Sequence, residues 1–125
     1  MTRYGAARPA RPDKVERGQI WIVDFEPVLG KEMNKERPAL VLSYDILNSS
    51  GWRLATVIPF STKRMEGNEL RLEVRPPLGG LRETSFAVCD YLRTISQARL
   101  MSYLGRLPAG LISEIGERVR ISLEI

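Results

Sequence analysis

The chain has 125 residues, enough for one domain with little room for a second. Its hydrophobic fraction of 43% and charged fraction of 27% are typical of globular proteins, and no apolar run could span a bilayer. The absence of histidine excludes a Ser-His-Asp triad and imidazole metal ligands, while the single Cys89 excludes an intrachain disulfide and a Cys-rich zinc site. We expect a soluble, cytoplasmic domain with no cofactor and no metal, whose catalysis would use Arg, Lys, Asp, Glu, Ser, Thr or Tyr.

The net charge of +4 is concentrated near the N-terminus. Five basic and two acidic residues lie before residue 18, so the remainder of the chain carries only +1. The first sixteen residues also contain two prolines and show no apolar periodicity. This composition predicts a flexible basic tail over residues 1–16, followed by a folded domain over residues 17–125.

Most of the domain is predicted to be short strands separated by turns. The expected strands cover residues 19–25, 38–42, 54–60, 70–75, 85–90 and 92–95. The fourth alternates cleanly, which predicts that Leu70, Leu72 and Val74 face the core and that the charges between them face outward. The pair Gly79-Gly80 predicts a tight turn.

Helical signals occur in three places. Residues 44–47 are expected to form a short helix capped by Ser43, and residues 97–100 a single turn. The C-terminal segment has apolar residues every four positions, which predicts a helix that buries Leu111, Ile115, Val119 and Leu123. Many strands with one terminal helix predict a mainly β fold with short helices, a small barrel that is closed by the C-terminal helix.

Arg37 lies where a polar loop over residues 30–36 meets a buried strand. An arginine in such a place is a planar fork that suits a phosphate or a carboxylate. Pairing of Arg37 with Glu32 or Glu36, to hold the loop, explains the same residues equally well.

The segment from Ser61 to Arg64 follows the third predicted strand. It offers two hydroxyls, from Ser61 and Thr62, and two cations, from Lys63 and Arg64. Hydroxyls and cations are the groups that contact a phosphodiester, although a simple polar turn has the same composition.

Asp90 and Arg93 interrupt two otherwise apolar strands. Charges in strands need partners, so these residues are expected to pair with each other or to lie at a dimer contact. Cys89 is expected to be a small core residue and not a nucleophile. Trp52 is expected either to pack in the core or an interface, or to offer a stacking face to a base.

Six short motifs follow one another in a characteristic order between residue 17 and the C-terminus. They are RGQIWIVDFEP at 17–27, GKE at 30–32 with RPALVLS at 37–43, Asn48, PFSTK at 59–63, the block with Gly80-Leu81, Ser85, Asp90 and Arg93-Thr94-Ile95, and GRLP at 105–108. In this order the chain resembles the MazF/PemK family of toxin endoribonucleases. The sequence departs from the family by Ser at position 61 in place of the usual Thr, by Lys35-Glu36 in place of small residues, and by Tyr91 where Gln is common.

The resemblance implies an SH3-like barrel of the CcdB/PemK type that forms a homodimer. It also implies metal-independent cleavage of single-stranded RNA, chiefly mRNA, to a 2′,3′-cyclic phosphate and a 5′-OH, and a cognate antitoxin with an acidic disordered segment. The family's catalytic residues map to Arg37, Ser61 and Glu32, as electrostatic stabiliser, phosphate-holding hydroxyl and proton acceptor. Residues expected to contact RNA are Lys31, Asn34, Thr62, Lys63, Arg64 and Asp90.

Two other functions remain open at this point. A gyrase-poisoning toxin on the same barrel would need no nuclease site and would leave Arg37 and Ser61 without a reason to converge. A non-catalytic SH3-like module that binds nucleic acid or protein is the second. Only the ribonuclease would cut single-stranded RNA in EDTA.

Overall fold

The computed structural model describes residues 9–26, 36–64, 67 and 69–125. The strands are β1 (Gln19–Asp24), β2 (Glu36–Val41), β3 (Leu54–Ser61), β4 (Arg71–Val74), β5 (Ser85–Val88), β6 (Arg93–Ser96) and β7 (Leu100–Arg106). The helices are α1 (Asp45–Asn48) and α2 (Ala109–Leu123), with 3-10 turns at Leu78–Gly80, Cys89–Tyr91 and Gln97–Arg99. No helix in the described ranges is long and apolar enough to cross a membrane.

The strands form one antiparallel sheet in the order β4-β5-β3-β2-β1-β7, with β6 paired to β3. The predicted mainly β fold with a C-terminal helix is confirmed. The strand order is consistent with the predicted SH3-like barrel, but the hydrogen-bonded sheet is not closed, because β4 and β7 do not pair with each other in the described residues. The gap is filled by packing of the Leu78–Gly80 turn against β7, where a Cβ on Gly80 would lie 2.0 Å from the Leu104 carbonyl oxygen.

The two faces of the sheet carry separate hydrophobic cores, because successive strand residues point to opposite sides. The helix-side core includes Ile20, Leu40, Ile58, Phe60 and, from α2, Ile115 and Val119. The opposite core includes Trp21, Val23, Ala39, Val57, Ile95 and Leu100. Sandwiching the sheet in this way fixes the register of its central strands, since a one-residue slip would exchange the two cores.

The described residues from Arg11 to Glu16, which precede β1, contact side chains of the sheet. The buried Gln19 side chain accepts hydrogen bonds from the Trp21 indole at 3.0 Å and the Glu16 amide at 2.9 Å, and it donates to the Lys14 carbonyl at 3.0 Å. The Arg11 guanidinium lies 4.8 Å from the centre of the Trp21 ring. Flexibility of residues 1–16 stays a prediction, and residues 1–8 lie outside the described part of the chain.

Strand β7 has no counterpart among the predicted strands. Its pairing with β1 contains two register irregularities, so Leu100 joins the opposite core whereas Leu104 joins the helix-side core. Bulges of this kind break the two-residue alternation by which a strand is recognised in a sequence.

Three local expectations are wrong. Ser43 does not cap α1; the cap position is Tyr44, and the Ser43 hydroxyl donates to the Asn48 side chain and accepts from the Thr56 amide. Leu123 is 51% exposed; it is the last residue of α2, four residues after Val119, the last buried residue of that helix. The predicted strand over residues 85–90 ends at Val88, and a 3-10 turn begins at Cys89.

Arg93 does not pair with Asp90. Its guanidinium donates to the Phe25 carbonyl at 3.3 Å and lies 5.8 Å from the centre of the Phe25 ring. Trp52 is 80% exposed, so in the isolated chain it packs in neither core.

Candidate active site

Arg37 and Ser61 are brought together by the pairing of β2 with β3. The register aligns Ala39 with Pro59 and Leu40 with Ile58, and continuing it by two residues places Arg37 opposite Ser61. Residues opposed in this register share a face of an antiparallel pair, although the paired residues themselves end at Ala39 and Pro59. Arg37 Nη1 also donates to the Phe60 carbonyl oxygen at 3.0 Å, which holds the guanidinium beside the end of β3.

Ser61 is the last residue of β3 and is buried. Its Oγ accepts a hydrogen bond from the Lys63 amide at 3.1 Å, which fixes the hydroxyl in the turn that follows the strand. A hydroxyl that accepts in this way keeps its own hydrogen for another partner. Ser61 can therefore donate to an anion placed next to Arg37.

The electrostatic environment of Arg37 favours an anion. Burial lowers the pKa of the Arg37 guanidinium, and the nearby charge of Arg71 lowers that pKa further. Arginine nonetheless stays protonated at neutral pH. The group is thus a half-buried cation beside a second cation, and a bound phosphate would relieve both unfavourable effects.

Arg71 is a residue of this site that the sequence analysis missed. Ser61 pairs with Phe86 and Phe86 with Glu73, so these residues share a face of the sheet, and Arg71 lies two residues before Glu73 on that face. Arg71 Nη1 donates to the Lys63 carbonyl oxygen at 3.3 Å. In the sequence Arg71 is an outward-facing charge of an alternating strand, and only the order β3-β5-β4 places it near the turn.

Thr62, Lys63 and Arg64 are exposed directly after Ser61, as a binding surface requires. Arg64 is already engaged: its Nη2 lies 2.8 Å from Glu73 Oε1, and its guanidinium lies 5.2 Å from the centre of the Phe86 ring. Exposed ion pairs are weak, so a phosphate could compete for Arg64.

The Glu73 carboxylate is shared by two arginines. Arg75 Nε lies 2.6 Å from Glu73 Oε2, and the hydrogen bond and charge of Arg75, followed by those of Arg64, hold the pKa of Glu73 below its ordinary value. Glu73 therefore remains ionised and occupied at neutral pH.

The other predicted site residues lie elsewhere. Asp90 is exposed in the turn after β5, four residues along the chain from Phe86, the partner of Ser61. Glu32, Lys31 and Asn34 fall outside the described residues. Their predicted roles, and that of Asp90 in RNA contact, stay predictions.

Cys89 takes no part in this arrangement. It is fully buried in the helix-side core, and burial raises the pKa of its thiol to about 11. The expectation of a core cysteine is confirmed. Across the ranges described, no group of three Cys, Asp or Glu side chains is placed to hold a metal ion.

Residues 16–123 match the family model of the PemK-like, MazF-like toxin of type II toxin-antitoxin systems. The chain is 30% identical over 115 residues to Endoribonuclease MazF9 of Mycobacterium tuberculosis, an alignment that covers 89% of this chain and 98% of the relative.

Solved structures share the fold. The crystal structure of MazF from Deinococcus radiodurans is similar with a TM-score of 0.76 at 24% identity, covering 90% of this chain and 98% of that one. A mycobacterial endoribonuclease in complex with its cognate antitoxin is similar with a TM-score of 0.71 at 18% identity, covering 91% and 97% of the two chains.

Proposed function

Because the chain belongs to the PemK-like, MazF-like toxins of type II toxin-antitoxin systems, we propose that this toxin endoribonuclease cuts single-stranded RNA, chiefly mRNA, at a site built on Arg37 and Ser61. The observation that carries this assignment is a half-buried guanidinium held on the Phe60 carbonyl at the end of β3, next to the fixed hydroxyl of Ser61. Neither a gyrase poison nor a non-catalytic module gives a reason for that convergence.

The proposed reaction is an internal transesterification. The 2′-oxygen of the RNA attacks the adjacent phosphorus, the bond from phosphorus to the 5′-oxygen breaks, and the products carry a 2′,3′-cyclic phosphate and a 5′-OH. The 2′-OH loses a proton and the leaving 5′-oxygen gains one. The nucleophile belongs to the substrate, so the protein has to orient the phosphate and stabilise its transition state.

Arg37 and Ser61 supply those two functions. Negative charge grows on the non-bridging oxygens as the phosphorane forms, and a preset guanidinium next to them stabilises the transition state more than the ground state. The Ser61 hydroxyl donates to one of the same oxygens and holds the phosphate in line for attack. Both donors sit at a strand end, where the rigid sheet limits their movement.

Proton transfer is assigned to different groups. Arg37 is protonated at neutral pH and so does not act as a free base; it can donate a proton to the leaving oxygen. Glu32 is proposed as the acceptor of the 2′-OH proton on the basis of its place in the family motif. The chain has no histidine to take either role.

No metal or cofactor is part of the proposal. The negative charge of the transition state would be stabilised by arginine. The chain has no histidine and one buried cysteine, two residue types that often bind metal ions.

Partners are proposed from the same features. A homodimer in the cytoplasm and a cognate antitoxin are expected, and the similar mycobacterial endoribonuclease with its cognate antitoxin supports the second. An acidic, disordered antitoxin segment would bind the cations around the Ser61 turn as RNA does.

Paired alanine variants test the site. Arg37→Ala and Ser61→Ala should each lower the rate of RNA cleavage by at least about 100-fold, because each removes a preset donor to the transition state. Thr62→Ala removes a neighbouring hydroxyl that is exposed, and it should retain most of the activity. Circular dichroism should show all three variants folded. If Thr62 is essential and Ser61 dispensable, the assignment of the hydroxyl is wrong.

A further inference from the structure

Two guanidiniums hold the chain on either side of Ser61. Arg37 Nη1 donates to the carbonyl of Phe60, the residue before Ser61, at 3.0 Å. Arg71 Nη1 donates to the carbonyl of Lys63, two residues after Ser61, at 3.3 Å. The turn that carries the proposed catalytic hydroxyl therefore has a cation from β2 on one side and a cation from β4 on the other.

The charge of Arg71 lacks a carboxylate partner in the described part of the chain. Its Nε is buried and makes no hydrogen bond there. Glu73, the acidic residue nearest to it on β4, is occupied by Arg75 at 2.6 Å and by Arg64 at 2.8 Å. A partly buried guanidinium with an unused donor is costly unless an anion binds to it.

The two arginines also act on each other. The positive charge of Arg71 contributes to the lowered pKa of Arg37, so the pair repels in the free protein. The phosphate proposed to lie at Arg37 and Ser61 is one singly charged phosphodiester. The next phosphate along the same RNA strand is the anion that is left for Arg71.

We propose that Arg71 binds the RNA phosphate next to the one held by Arg37 and Ser61, and thereby sets the affinity and register of the substrate. This inference rests on the proposed function of the site. Arg71 is a binding residue here: it contributes equally to ground state and transition state, and the chemical step is left to Arg37 and Ser61.

Arg71 could instead only hold the Ser61 turn in place, and Arg71→Gln distinguishes this structural role from phosphate binding. Glutamine keeps N–H donors that can bond to the Lys63 carbonyl, but it carries no charge. Arg71→Lys keeps the charge and loses the planar fork. Arg75→Gln is the matched control, because it removes one exposed arginine from just beyond the same strand without touching the Ser61 turn.

The probe is a single-stranded RNA in which every 2′-OH is methylated, so that it binds without being cut. Its dissociation constant is measured over a range of salt concentrations for the wild-type protein and the three variants. Arg71→Gln should weaken binding about tenfold near 0.1 M salt and lower the slope of log affinity against log salt by about 0.7, the value for one lost phosphate contact on a single strand. Arg71→Lys should keep the wild-type slope, and Arg75→Gln should match the wild type in both quantities.

Cleavage of unmodified RNA supplies the second readout. Arg71→Gln should raise KM and leave kcat within about threefold of the wild-type value. If Arg71→Gln binds RNA more weakly with an unchanged salt slope, or if only its kcat falls, Arg71 serves the structure of the turn. Either result would overturn this inference and leave the proposed function of the site intact. A wild-type protein that neither binds nor cuts RNA would overturn the proposed function together with it.

Discussion

Burial shifts the pKa values of two ionisable side chains, Arg37 in β2 and Cys89 in the turn after β5, in opposite directions. It lowers the pKa of the Arg37 guanidinium and raises that of the Cys89 thiol to about 11, in each case by disfavouring the charged form. The consequences differ because Arg37 is half-buried beside a surface that an anion can reach, whereas Cys89 is sealed in the helix-side core. The half-buried cation of Arg37 therefore favours phosphate binding, whereas the buried thiol of Cys89 is inert.

The raised pKa of Cys89 has a measurable effect on stability. The ordinary value is 9.0 and the folded value is about 11, so between these pH values the folded state holds the thiol proton that the unfolded state has lost. The contribution to stability is complete below about pH 9 and is lost as the pH rises through 11. The wild-type protein should lose roughly 2–3 kcal/mol more than Cys89→Ala over this window, measured by urea unfolding.

The Cys89→Ala comparison cancels the tyrosines and lysines that titrate at similar pH, because both proteins contain them. Identical pH dependence of the two unfolding free energies would mean that the thiol is not desolvated in the folded state.

At the scale of elements, a glycine turn packs against β7, one of the two strands that leave the sheet open. Gly80 has φ of +76°, and a Cβ there would lie 2.0 Å from the Leu104 carbonyl oxygen. The Leu78–Gly80 turn thus approaches β7 more closely than a side chain permits, and this contact replaces the missing hydrogen bonds between β4 and β7.

Gly80→Ala should destabilise the fold by roughly 2–4 kcal/mol, because it combines a left-handed conformation with a backbone clash. Gly110→Ala is the control: nothing lies within 4 Å of its Cβ position in α2, and alanine there should be neutral or stabilising by up to about 1 kcal/mol. Thermal unfolding of both variants measures the difference. Equal stability of Gly80→Ala and the wild type would mean that the turn moves away from β7 at no cost.

Elements with a regular pattern could be predicted from the sequence, and irregular ones could not. The alternation of β4 and the four-residue spacing in α2 each follow from one periodicity, so both were predictable. Strand β7 was not, because its bulges carry Leu100 and Leu104 to opposite cores. These bulges are defined by the pairing of β7 with β1, which the sequence of β7 alone does not show.

Some residues of the candidate site could likewise be predicted from the sequence, and one could not. Arg37 and Ser61 lie in short motifs whose order along the chain identifies the family. Arg71 lies outside those motifs, and its alternation with apolar residues is also that of an ordinary solvated strand face. Its position follows from the order of three strands, which a single sequence does not specify.

At the scale of the whole molecule, one cationic surface is proposed to serve two partners. Lys63 and Arg64 are exposed beside Arg37 and Arg71, so a carboxylate-rich antitoxin segment and the RNA backbone would use the same cations. Such a segment would become ordered on binding and would need a large contact area to offset that cost.

The antitoxin should therefore compete with RNA, and the competition should weaken as salt is added. The product of a small gene next to the toxin gene is the candidate to test, by co-purification and by inhibition of RNA cleavage at several salt concentrations. An inhibitor that binds without displacing RNA would show that the two surfaces are separate.

The same preparation tests the proposed homodimer. A domain of this size has a limited core, and association would bury exposed apolar side chains such as Ile121 and Ile125. Light scattering should give twice the monomer mass of 14.2 kDa at micromolar concentration. A monomer under those conditions would contradict the dimer.

The central claim is that Arg37 and Ser61 promote attack by the RNA's own 2′-OH. In this mechanism the arginine, and not a metal ion, stabilises the negative charge of the transition state. The most direct test is to incubate the purified wild-type protein with a mixed pool of single-stranded RNA in EDTA and to determine the fragment ends by mass spectrometry. We predict cleavage in EDTA, with a 2′,3′-cyclic phosphate on one side of each cut and a 5′-OH on the other. Loss of cleavage in EDTA with recovery in magnesium, or ends carrying a 5′-phosphate, would contradict the mechanism.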